Sequence, residues 1–123
     1  MATIILNFKN KVNNYKINFS AVNVIEIESS FINLKDYLKE GSEPTLIELK
    51  NQNVSHLNLS NVTPYVLIYF DDSKTFIGAT HSVNTAQGDF SINCYNKYVL
   101  LMKIPYNINL SELHSLEINQ KEN

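Results

Sequence analysis

The chain has 123 residues, 44% hydrophobic and 18% charged, with ten lysines, no arginine and a formal net charge of −2. That length suits one domain with a real core, and that composition suits a soluble globular fold. Scattered lysines without guanidinium forks argue against nucleic acid. No polybasic patch addresses a membrane surface, and no apolar run approaches the roughly 20 residues that span a bilayer.

Alternation with period two dominates the first third. In TIILNFK, Ile4, Leu6 and Phe8 face one way and Asn7 and Lys9 the other; in NYKINFS, Tyr15, Ile17 and Phe19 alternate with Asn14, Lys16 and Asn18. With KNKVN as the turn, residues 2–19 read as a hairpin whose outer face meets water. VNVIEIE reads as a further strand, with Glu26 and Glu28 on one face. The period then changes. Phe31, Leu34 and Leu38 recur at helical spacing, Ser29 or Ser30 can cap the start, Gly41 can close the end and Pro44 follows. These signals predict one short helix at residues 30–40.

From TLIELK the strand pattern returns, and VSHLNLS alternates after the turn NQN. YVLIYF is apolar throughout, which predicts a central strand buried on both faces. DDSK reads as a turn, and TFIGATHS and FSINCY as a hairpin around NTAQGD. YVLLMKI is a strand ended by Pro105. In NLSELHSLEI two readings coexist: Asn109 and Glu112 as a capping box, or SLEI as an edge strand. The expected architecture is a single mainly-β domain over residues 1–118 with a flexible tail at 119–123. It is antiparallel and sandwich-like, with one short helix. The alternative is an α+β layer, one helix lying on an antiparallel sheet.

The single cysteine, Cys94, excludes an internal disulfide. In the simplest hairpin register it shares a face with Phe76, Gly78 and Thr80, while His81 lies on the opposite face with Tyr95. That separation argues against a Cys–His dyad, which needs both groups on one side. His56, His81 and His114 lack ligand spacing, so no metal is expected. Neither a phosphate loop nor a nucleophile elbow occurs, so neither cofactor nor catalysis is expected.

Acidic residues are the remaining clue. Glu26, Glu28 and Glu48 lie on strand faces, and Asp71 and Asp72 end the buried strand. The resulting expectation is a non-enzymatic protein-binding module, such as an immunity or inhibitor protein neutralising a basic enzyme or toxin. Its contacts would be Glu26, Glu28, Glu48, Asp71, Asp72, His81 and Tyr95. Nucleic-acid and membrane partners are not expected. The alternative is a glycan-binding or structural β-module of a surface or secreted assembly, supported by exposed Asn, Asp and Tyr but weakened by the missing tryptophan. MATIILNFKNK lacks the basic start of a secretory leader, and Lys9 and Lys11 interrupt its apolar stretch. A cytoplasmic location is therefore expected, and a secreted one only if a leader has been removed.

Overall fold

A computed structural model describes residues 2–37, 44–51, 54–58, 65–81, 89–93, 97–103 and 108–120; at 65, 81 and 89–93 it describes the backbone. Strand β1 (Ala2–Lys9) pairs antiparallel with β2 (Asn14–Ile27), as the alternation requires. Asn10 makes the turn: its Oδ1 accepts from the backbone N–H groups of Val12 at 2.9 Å and Asn13 at 2.8 Å.

VNVIEIE is not a separate strand but the second half of β2. The chain bends at Ala21, with φ at 60°, where the β1–β2 register slips between Ala2 and Ile4. Such an irregularity re-aims a strand. The first half of β2 thus pairs with β1, while Asn23–Ile27 runs parallel to β4 (Thr45–Leu49).

The helix expected at residues 30–40 is absent over its described part. Phe31–Asn33 forms β3, followed by a single 3-10 turn at Leu34–Tyr37; residues 38–43 lie outside the described residues. Burial follows alternation here: Ile32 and Leu34 are buried, while Phe31 is 61% exposed. The Ser29 hydroxyl accepts from the Phe31 N–H at 3.2 Å and lies 3.0 Å from its carbonyl oxygen, to which it donates. The backbone is held extended, and it pairs in parallel with β5 (Val54–Asn58).

The remaining strands are β6 (Tyr65–Phe70), β7 (Phe76–His81), β8 (Asp89–Asn93), β9 (Lys97–Lys103) and β10 (Leu113–Gln120). Seven strands form one sheet in the order β10-β1-β2-β4-β9-β6-β7, and three form another in the order β3-β5-β8. The protein is a mainly-β domain, and its sheets are mixed, with β2–β4 and β3–β5 parallel. The expected TFIGATHS–FSINCY hairpin does not form: β7 pairs with β6 in the large sheet, and β8 pairs with β5 in the small one. A long connection does not force the strands it joins to be neighbours, as a two-residue turn would.

The large sheet curls until its two ends meet. Thr75, just before β7, bridges antiparallel to Ser115 on β10, and the Leu116 N–H donates to the Lys74 carbonyl at 2.9 Å. The barrel-like interior is filled by one apolar cluster that includes Ile4, Leu6, Phe8, Ile68, Phe70 and Leu100. As expected, β6 is buried on both faces. Val66, Ile68 and Phe70 enter the interior, while Leu67 and Tyr69 join a second core with Ile47, Leu49, Val99 and Leu101. Ile32, Leu34 and Leu57, from the segments of the small sheet, close that second core. Each large aliphatic side chain buried in this way contributes roughly 1.5–3 kcal/mol.

NLSELHSLEI holds the expected strand, while the expected capping box is reduced to its Asn109 half on a single 3-10 turn, the Glu112 carboxylate being taken by the Tyr15 hydroxyl. Asn109 Oδ1 accepts from the Ser111 N–H at 3.1 Å and caps a 3-10 turn at Leu110–Glu112, after which β10 begins. That strand reaches Gln120, opposite Ala2, two residues into the expected tail. Among the described residues no helix is long and apolar enough to cross a membrane.

Candidate functional site

Strand register gathers acidic residues that lie far apart in sequence. Glu26 on β2 stands opposite Glu48 on β4, Glu48 opposite Tyr98 on β9, and Tyr98 opposite Phe70 on β6. Asp71 and Asp72 follow Phe70 directly. Groups from β2, β4 and the β6–β7 turn therefore share one rim of the curled sheet.

Glu48 is the best-compensated carboxylate of this rim. Its Oε1 lies 2.8 Å from Lys50 Nζ and accepts from the Tyr98 hydroxyl at 3.3 Å. The hydrogen bond to Glu48 holds the Lys50 ammonium above its usual pKa against the opposing effect of burial, and the charges of Glu48 and Glu26 add to it. Burial raises the Tyr98 phenol first. The Glu48 charge and hydrogen bond and the Asp72 charge push the same way, and Lys50 opposes them. Asp72 is thus within electrostatic reach of this group. The Lys74 ammonium lies over the Tyr98 ring, 5.6 Å from its centroid.

Asp71 serves the turn, as the composition of DDSK suggests. Its Oδ1 accepts from the N–H groups of Ser73 and Thr75, both at 2.9 Å, and holds a turn in which Lys74 adopts a φ of 64°. Glu26 near the end of β2, Glu28 just beyond it and Asp72 in the β6–β7 turn are left exposed. His81 is not brought to them: it pairs with Val66, at the other end of β6 from Phe70. Tyr95 and Cys94 lie outside the described residues.

Sequence reasoning missed Lys50, Tyr98 and Lys74. The Glu48–Lys50 spacing of two, on one face of a strand, was an available signal. Tyr98 was not accessible in that way, since its place beside Glu48 depends on a pairing between residues 50 positions apart. The histidines sit on three different strands, His56 on β5, His81 on β7 and His114 on β10. Among the described residues no three His, Cys, Asp or Glu side chains gather as metal ligands would.

No protein-family model matches the chain, and no curated protein matches it. The fold is similar to the crystal structure of a candidate transcription regulator from Sinorhizobium meliloti. The TM-score is 0.65 over 95% of this chain and 93% of that one, at 11% sequence identity. Similarity at that identity concerns the fold alone.

Proposed function

We propose that the protein is a non-enzymatic protein-binding module whose acidic rim engages a basic surface of a partner, in the manner of an immunity or inhibitor protein toward an enzyme or toxin. The observation that carries this reading is the pairing of exposed Glu26 level with Glu48, whose own charge Lys50 already answers, with exposed Glu28 two residues on and Asp72 within electrostatic reach of Tyr98. Exposed carboxylates on paired strands present a fixed negative field, which steers a basic partner and speeds encounter. Glu48, by contrast, orders Lys50 and Tyr98 behind them. We place the protein in the cytoplasm on the same reading.

The Sinorhizobium neighbour is a candidate transcription regulator, so DNA enters the test as a competitor. Carboxylates repel phosphate, so the rim does not favour it.

The experiment is affinity capture from the source cell, followed by association kinetics with the partner obtained. Reversing Glu26 and Glu28 together to lysine is expected to slow association about tenfold at low salt while leaving the fold intact. The wild-type rate is expected to fall as salt shortens the screening length toward about 8 Å. A partner indifferent to both changes contradicts the electrostatic mechanism, and salt-dependent binding of duplex DNA by the wild type contradicts the class.

A further inference from the structure

The outer face of β10, β1 and β2 carries a cavity that the acidic rim does not use. Its origin is a bulge. Asn7 pairs with Ser115, but the next residue, Phe8, pairs with Leu113, so His114 is the extra residue. Leu113 and Leu116 are both buried in the interior cluster, which leaves His114 and Ser115 side by side toward the outside. Bulges re-aim side chains in this manner and recur beside functional sites. Across the same face Lys9 stands opposite Asn14, and Lys16 opposite Asn7. These residues line a cavity of about 280 Å³ together with His114 and Ser115.

The charges there are unequal. Lys9 and His114 make no ion pair among the described residues. The carboxylate beside them, Glu117, is already occupied: its Oε2 accepts from Asn7 Nδ2 at 3.0 Å and lies 3.5 Å from Lys16 Nζ. Glu112, at the other side, accepts from the Tyr15 hydroxyl at 2.7 Å. Two ammonium groups, an imidazole and the Asn14 amide therefore surround the opening; Lys16 also answers Glu117, while Lys9 and His114 face no carboxylate partner among the described residues.

We propose that this cavity is a binding site for a small molecule bearing a phosphate group, held by Lys9, Lys16 and His114. Ammonium groups act on phosphate as point charges, and the Asn14 amide and Ser115 hydroxyl supply hydrogen bonds to its oxygens. The cavity has room for one such head group with a small substituent.

The test is titration of the isotopically labelled protein with inorganic phosphate and with glycerol phosphate, followed through backbone amide resonances. The expected result is saturable shifts confined to Lys9, Asn14, Lys16, His114 and their neighbours. Apparent affinity is expected to fall about tenfold in the Lys9→Gln/Lys16→Gln double variant and about threefold in His114→Asn. Lys35→Gln, on the distant 3-10 turn, should change nothing. All substituted side chains are exposed, so the thermal midpoints of the variants should match the parent and exclude misfolding as the cause. Shifts that never saturate, or that survive in the double variant, overturn the proposal. So does an oligonucleotide that occupies the cavity at far lower concentration than either phosphate.

Discussion

The two apolar cores of this protein share β4, β6, β9 and the second half of β2 and differ in what else closes them. On the barrel side the closing strands are long: β2 has 14 residues, and β1 and β10 have eight each. The tyrosine hydroxyls at the margin of this core are paired, Tyr15 with Glu112 and Tyr98 of β9 with Glu48. On the other side the closing strands have three, five and five residues. Ser55 Oγ and Asn33 Oδ1 are buried there without a hydrogen-bond partner among the described residues. Phe31 and Val54 remain 61% and 41% exposed. The same strands thus present similar hydrocarbon to both sides, while backbone pairing and polar satisfaction differ. Regions with fewer buried contacts and poorer satisfaction open first. The barrel is therefore the scaffold, and the small sheet is the less cooperative layer. The acidic rim belongs to the scaffold.

The comparison is broken most directly with two leucines buried to the same degree. Leu100 in the barrel and Leu57 in the second core are 0% and 1% exposed. Leu100→Ala should destabilise by about 4 kcal/mol and Leu57→Ala by about 2 kcal/mol, because the short strands can collapse onto the vacated space. Urea unfolding measures both, and equal losses would dissolve the distinction. Asp71→Ala should cost about 1–2 kcal/mol, since it removes the acceptor of two N–H groups in the turn that leads to the barrel seam. Ser55→Ala should instead stabilise by about 0.5–1 kcal/mol, because the hydroxyl it removes is buried at the cost of its hydration. Ala21→Gly, at a φ of 60°, should stabilise by about 0.5 kcal/mol, the relief of left-handed strain exceeding the added chain entropy.

The remaining effect is a pH dependence, absent at neutral pH. Burial holds the Tyr69 phenol well above its ordinary pKa, with a hydrogen bond to Thr80 pulling part of the way back. A raised folded-state pKa means a contribution present in full below about pH 10, the unfolded value for tyrosine. It is lost as pH rises from there toward the folded value. Tyr69→Phe should flatten the alkaline limb of the stability profile by the slope of one proton. An unchanged limb would mean that the phenol ionises with equal ease in both states.

Much of this was legible from single strands and little from their partners. Alternation located β1, β2 and the buried β6, because period two is a property of one strand and the face it buries. The helix reading failed at Phe31, whose spacing to Leu34 fits a helical face while its exposure fits a strand edge. The hairpin reading failed because chain order does not dictate which sheet β8 joins. The acidic residues were visible, but their meeting was not: it is a consequence of parallel pairing between β2 and β4, which brings Glu26 level with Glu48. Lys50, two residues beyond Glu48, could have been found; Tyr98 could not.

Native-state amide hydrogen exchange tests the central claim, a rigid barrel carrying a weaker layer, most directly. The amides of β6 and β9, at Leu67–Phe70 and Val99–Met102, should exchange only through global unfolding. Those of β5, at Ser55–Asn58, should exchange through a partial opening of distinctly lower free energy and smaller denaturant dependence. Equal protection and equal denaturant dependence in the two sets would contradict the account and make the two cores a single cooperative unit.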